Sequence, residues 1–155
     1  MAVLGRGEAH GACSLLHAAA LGYGANIALN LPITVRLLDR PSKREVVDDD
    51  GVLDALMNSW TDAGHPLPDG FEHDDLHWGV VSKIPKAQCL KSSAAMCIAA
   101  LRALCDATET NLTPEAMVMM AADAQSTSGV SLTRSIDDAW AVSYTHLTLP
   151  TILLV

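Results

Sequence analysis

The sequence predicts an α+β domain: a mixed sheet with helices packed on one face. Three observations carry that expectation. Short apolar runs broken by Gly and Pro alternate with longer apolar segments that carry helix start signals. Their order is strands, helix, strand, helix, helix, strand, with no internal repeat or low-complexity linker. Half of the 155 residues are hydrophobic, enough to bury one core.

The elements follow in order. "GYGANIALNLPITVRLLD" places Gly22 and Gly24 at a turn before two strand-like runs, Ile27–Leu31 and Ile33–Leu38, with a break expected at Pro32. The stretch 39–51, "DRPSKREVVDDDG", reads as a charged loop or hairpin end. Val52–Trp60 reads as a short helix starting near Asp50 or Gly51. "AGHPLPDG", residues 63–70, is a connector, and Leu76–Ile84 suits a strand. Ser92–Cys105 is a helix apolar on nearly every side, hence buried. Thr113–Ala124 is another, with Thr113 as N-cap and Pro114 at its first position. Val130–Thr133 reads as a last strand.

With one Phe, two Tyr and three Trp, the core must be filled by Ala, Leu, Val and Met. Acidic residues outnumber basic ones, 18 to 10, which argues against nucleic acid or an anionic membrane as the main partner. No apolar run reaches spanning length, and "MAVLGRGEAHG" lacks the regions of a secretory signal, so the expected location is the cytoplasm. Cys13, Cys89, Cys97 and Cys105 show no CxxC spacing and are expected as buried thiols. In "EHDDLHW", strand alternation would put His73, Asp75 and His77 on one solvated face, a better reading than a metal site.

"IPKAQCLKSSAAM", residues 84–96, carries the chemistry. Pro85 ends a strand, and Ser92 or Ser93 can cap the apolar helix that follows. The start of a helix presents unpaired N–H groups and the positive end of the dipole, a combination that binds phosphate. Lys91 adds a charge, and the serine hydroxyls add donors or a metal ligand. The alternative is an ordinary Ser-capped core helix. Near the C-terminus, Asp137-Asp138 alone would read as an acidic pair at a helix start.

Pro85-x-x-x-Cys89-Leu90-Lys91-Ser92-Ser93-Ala94-Ala95 resembles the phosphate-binding motif of the GHMP small-molecule kinases, P-x-x-x-G-L-x-S-S-A. Lys91 at its variable place resembles the archaeal-type shikimate kinases in particular. "GEAHGACSLLHAAALGYGANIALNL" and "SGVSLTRSIDDAWA" are similar to that family's N-terminal segment and its G-V-x-x-T-G-x-x-D-D-A segment. The resemblance spans Gly7 to Ala141. It implies that ATP lies with its phosphates over Pro85, Lys86, Ala87, Gln88, Cys89, Leu90, Lys91, Ser92, Ser93, Ala94 and Ala95. It further implies Ser93 as a Mg²⁺ ligand and Asp137 as the carboxylate facing the substrate hydroxyl. His17, Gly22, Tyr23, Gly24 and Asn30 would line the substrate side. The implied reaction is phosphorylation of the 3-hydroxyl of shikimate, in the chorismate route to aromatic amino acids. Alternatives are a homoserine- or mevalonate-type GHMP kinase, or a non-catalytic remnant or binding domain that kept the fold.

The chain departs from the pattern at four places. Cys89 replaces a Gly, Arg134 replaces the Gly of T-G, and Asn30 and Thr127 stand where acidic residues are expected. A position that needs φ > 0 would strain a cysteine. The last stretch, "VSYTHLTLPTILLV", residues 142–155, has no charged residue and looks like a translated sequencing adapter. The expected organisation is therefore a GHMP N-terminal, ATP-binding domain at 1–141 followed by a foreign tail. On that expectation the chain is a partial protein, inactive alone, that lacks the C-terminal domain closing the substrate cleft.

Overall fold

A computed structural model describes residues 1–16, 23–42, 50–85, 88–132, 134–143 and 151–154. The elements run β1 (Val3–Leu16), β2 (Tyr23–Leu38), α1 (Val52–Asp62), a 3-10 turn (His73–Asp75), β3 (His77–Ser82), α2 (Ser92–Thr108), α3 (Pro114–Thr127), α4 (Ile136–Ser143) and β4 (Thr151–Leu154). The class is α+β, as expected.

β2 is the central strand. β1 runs along one of its edges, and the other edge is shared end to end. β3 pairs with Ile33–Leu38 and β4 with Tyr23–Asn26. The described ladders are all antiparallel, where a mixed sheet was expected. The backbone of Thr151–Leu154 lies within the stretch read as foreign; such a ladder is what an apolar β-branched segment forms at any open edge.

β2 does not stop at Pro32. Instead the β1–β2 register slips: His10 pairs with Pro32 and Ala12 with Ala28, so residues 29–31 face Gly11 alone. A bulge of this kind accommodates the missing proline N–H and lets one strand replace the two expected. β1 itself escapes sequence reading, because Gly and Ala have low strand propensity.

Those small residues have a packing role. α2 lies across β1 and β2, with α4 beside it against the same strands, while α3 and α1 form an outer layer over α2. A Cβ on Gly7 would sit 2.0 Å from the Ala99 carbonyl oxygen, and one on Gly5 2.1 Å from that of Ala103. Gly5 and Gly7 share one face of β1 by alternation, and Ala99, Ala103 and Ala107 form one stripe of α2 by their spacing of four. Helix backbone thus meets strand backbone. Around this contact Ile98, Leu101 and Leu104 of α2 pack with Val35 and Leu37 of β2 and with Leu56 and Trp60 of α1, all essentially fully buried. Each such side chain contributes about 1.5–3 kcal/mol of burial free energy. The Trp60 indole N–H is satisfied by the Pro66 carbonyl at 2.8 Å.

Arg102 ties three elements together. Its guanidinium donates to the Glu8 carbonyl of β1 and, at 2.6 Å, to the Ser143 carbonyl that ends α4. A cation there complements the negative end of the α4 dipole. Burial nevertheless pushes the Arg102 pKa below its ordinary value, with the Glu8 charge opposing.

Two further expectations are corrected. Among 130–132 there is no strand; the chain turns and then enters α4. Gly129 at φ 78 and the Ser131 N–H bonded back to the Gln125 carbonyl hold this segment to the end of α3 instead of a sheet. "EHDDLHW" opens with a 3-10 turn, so strand alternation does not apply to His73 and Asp75. A reciprocal capping box between Glu72 and Asp75 closes that turn. Among the described residues no three His, Cys, Asp or Glu side chains gather as a metal-holding group, and no helix is long and apolar enough to cross a membrane.

Candidate functional site

The loop between β3 and α2 is fixed at both ends. The Lys83 N–H donates to the Pro32 carbonyl at 2.9 Å, and the Leu90 carbonyl accepts from the Ala12 N–H at 3.2 Å. Both contacts reach the bulged region of β1–β2, so the sheet irregularity and the loop form one unit. Pro85, Gln88 and Cys89 are exposed, and Leu90 is half-buried. Lys86 and Ala87 lie outside the described residues.

Two non-glycine residues of this loop are left-handed: Cys89 at φ 54 and Lys91 at φ 59. The conformation costs an L-residue about 1–2 kcal/mol. Cys89 therefore does occupy a position suited to Gly. It is also exposed, which corrects the expectation of four buried thiols. Cys97 is buried, Cys13 and Cys105 are intermediate, and none of the four is in a disulfide.

The N-cap of α2 is Lys91, and it makes no side-chain capping bond; Ser92 and Ser93 are helical residues. The ordinary Ser-capped helix is thus not what forms. Among the described residues no side-chain cap covers the first amides of this 17-residue helix, and a positive dipole end stands behind them. Ser92 and Ser93 are half-buried, while Ala94 and Ala95 are buried.

The Lys91 ammonium folds onto Asp138 of α4, 2.9 Å from the carboxylate, with both side chains only 13% exposed. This contact joins the start of α2 to the start of α4. Asp137 and Asp138 both lie in the first turn of α4, where a helix dipole favours acids.

Asp137 is 4% exposed and points inward. Its Oδ2 accepts a hydrogen bond from the Asn26 side-chain amide at 3.2 Å. The Asn26 Oδ1 accepts in turn from the Ser14 hydroxyl at 2.7 Å. Asn26 is 1% exposed. Ser14 and Asn26 are direct cross-strand partners on β1 and β2.

The residues expected on the substrate side divide. His17 and Gly22 lie outside the described residues. Tyr23 begins β2, and Gly24 is buried two residues before Asn26. Asn30 is exposed in the bulge. The asparagine of β2 brought to Asp137 is Asn26, which sequence reading passed over. The usable signal was a polar residue among apolar ones with its spacing from the Pro32 break. Arg134, where a Gly was expected, turns outward to Asp123 at 2.7 Å, and Thr127 ends α3 exposed. A cavity of about 440 Å³ lies at the far end of α2, lined in part by Leu4, Leu67, Phe71 and Glu109. It does not include Lys91 or Asp137.

The model of the GHMP kinases N terminal domain matches residues 51–146. Several solved structures share the fold. The mevalonate kinase of Methanococcus jannaschii superposes with a TM-score of 0.74 at 15% identity, over 96% of this chain and 53% of its own. A Lactococcus lactis galactokinase complexed with galactose gives 0.75 at 15% identity, over 97% of this chain and 44% of its own. The mevalonate kinase from methicillin-resistant Staphylococcus aureus gives 0.65 at 23% identity, over 90% of this chain and 50% of its own. The chain therefore spans about half the length of these proteins. Identities this low speak for the fold alone. No curated protein sequence matches the chain.

Proposed function

The chain belongs to the family of GHMP kinase N-terminal domains, and we propose that it carries the phosphate loop and acceptor carboxylate of an ATP-dependent kinase acting on a hydroxyl of a small metabolite. The observation that carries this reading is the Lys91–Asp138 contact. It sets the helix start that lacks a side-chain cap beside an acidic helix start that holds the buried Asp137.

The residues suit a nucleoside triphosphate. The first amides of α2 supply donors for phosphate oxygens, and Lys91 supplies a cation at their edge once it exchanges Asp138 for phosphate. Asp137 and Asp138 are engaged with Asn26 and Lys91, so the hydroxyl of Ser93 is the donor that suits an ion carried in with the nucleotide. A Mg²⁺ held there would neutralise charge on the phosphates during transfer. The chain's own contributions are positional. The helix start orients the phosphates, Lys91 offsets their charge, and the Asp137 carboxylate holds the acceptor hydroxyl by its proton. Phosphoryl transfer draws most of its acceleration from such placement.

The finer reading is shikimate as acceptor. It rests on Lys91 and on the Asp137-Asp138-Ala139 run, which resemble the archaeal-type shikimate kinases. A mevalonate-type acceptor is the second reading, favoured by the fold shared with two mevalonate kinases. The test is ADP release by the full-length protein offered shikimate, mevalonate, homoserine or galactose in turn. Shikimate-dependent turnover is expected, abolished in Asp137→Asn with ATP binding retained. Turnover on mevalonate alone would select the second reading. No turnover on any alcohol, with ATP left unbound by the wild type, would refute the kinase proposal.

A further inference from the structure

The path of β2 singles out Asn26. From Ile33 to Leu37 the odd-numbered residues Ile33, Val35 and Leu37 face the helices and are buried, while Arg36 is exposed. Continued alternation would bring Ile27 inward and turn Asn26 out. The register slip at Gly11 reverses the parity on both strands. Ala12 and Asn26 become buried, and Ile27 is left 37% exposed and Leu15 63% exposed. The fold thus puts two large apolar side chains toward the surface and a primary amide inside. Left unpaired, that amide would be costly to bury. Hydrophobic burial alone would choose the opposite register, and the bulge that accommodates Pro32 also turns Asn26 inward.

What Asn26 meets is Asp137, 111 residues away along the chain. An ionised carboxylate only accepts hydrogen bonds, so the NH₂ end of the amide must face it. The Oδ1 end then faces Ser14, whose hydroxyl must donate. Each bond fixes the direction of the next. Without Ser14 the amide could rotate, and without the amide the carboxylate could adopt another rotamer.

We infer that Asn26, oriented by Ser14, is a positioning residue that sets the angle of the Asp137 carboxylate toward the acceptor hydroxyl. This rests on the kinase reading above. Asn26 touches no reacting atom. One oxygen of Asp137, Oδ2, is occupied by the amide, which reserves the other side of the carboxylate for the substrate. Misplacement by about 1 Å at a reacting group costs roughly 100-fold in rate.

The test compares Asn26→Ala, Ser14→Ala and Ser14→Thr in the full-length protein, with ATP affinity and thermal midpoint measured beside steady-state kinetics. Asn26→Ala is expected to lower kcat about 10- to 100-fold, with the KM for ATP and the ATP Kd unchanged. Ser14→Ala should lower kcat in the same sense by less, and Ser14→Thr, which keeps the hydroxyl, should restore it. A purely structural role would lower the thermal midpoint and leave kcat of the folded fraction intact, and that result overturns the inference. Should Asn26→Ala fail to fold, the Ser14 pair decides: equal kcat for Ala and Thr overturns the inference, and rescue by Thr supports it. Wild-type protein that phosphorylates no alcohol would overturn the kinase reading and this inference with it. A wild type that turns over while every variant matches it overturns the inference alone.

Discussion

Gly7→Ala is the sharpest probe of how the site is held. The new Cβ would lie 2.0 Å from the Ala99 carbonyl oxygen, 2.6 Å from the Arg102 Cβ and 2.7 Å from the Ala103 amide nitrogen. These atoms belong to the backbone or root of α2, so no rotamer change removes the clash. Carbon and oxygen need more than 3 Å, so α2 must withdraw by about 1 Å. Withdrawal would open gaps around Ile98, Leu101 and Leu104 and shift the helix start at Lys91. Overpacking costs about 1–3 kcal/mol in a yielding core, and here the upper end applies. About 3 kcal/mol corresponds to a Tm fall of about 6–12 °C in a chain of this size. Gly11→Ala provides the internal scale. Its Cβ would meet the Leu90 carbonyl at 3.2 Å and the flexible Ile84 side chain at 3.4 Å, so less than about 1 kcal/mol is expected. The assay is thermal and urea unfolding of both variants, with ATP affinity measured alongside. Equal stability of Gly7→Ala and Gly11→Ala would refute the backbone-to-backbone packing of α2 on β1.

Further outcomes follow from single contacts. Thr113→Ala removes the side-chain oxygen that accepts from the Ala116 N–H at 3.2 Å, and urea unfolding should show a loss of about 1 kcal/mol. Arg102→Met keeps the buried stem but leaves the Glu8 and Ser143 carbonyls without their donor. It should cost about 2 kcal/mol, read as a Tm fall of about 4–8 °C. Cys89→Gly should leave stability unchanged or raise it by up to about 1 kcal/mol, because relief of the left-handed strain outweighs the added freedom of the unfolded chain; Cys89→Val should destabilise. With a thiol reagent, Cys89 should react first, Cys105 slowly because burial raises its thiol pKa, and Cys97 only on unfolding.

Three of the four described helices were legible because their signals are local; α4 was foreshadowed only by its acidic pair. Thr113-Pro114 marks a start that needs no tertiary context, and the apolar circumference of Ser92–Cys105 can only belong to a buried helix. The sheet was less so. β1 is built of Gly and Ala because α2 presses on it, and a requirement imposed by a partner 90 residues away leaves no strand propensity to read. Pro32 misled for the same reason. It looks like a break until the unequal lengths of β1 and β2 opposite it are known.

The candidate site was legible as far as single residues carry it. Lys91, Ser92–Ser93 and Asp137-Asp138 are visible as motifs, and the left-handed Cys89 is inferable from the Gly it replaces. Pairings between them were not legible, since they depend on which strand face turns inward. Asn26 and Asn30 differ by four residues, and alternation alone would give both the same face. The bulge at 29–31, opposite Gly11, takes in Asn30 itself, so the expected candidate is left exposed while the other meets Asp137. Chemistry therefore enters at Gly11, a residue with no functional group. Its small size lets the Leu90 carbonyl and the Ile84 side chain approach within about 3.5 Å of where a Cβ would stand. There the parity of β1 and β2 reverses and the phosphate-loop candidate is tied to the sheet. The same step that anchors the loop turns Asn26 toward Asp137, and this couples the placement of the α2 start and of the Asp137 carboxylate through one irregularity in the sheet.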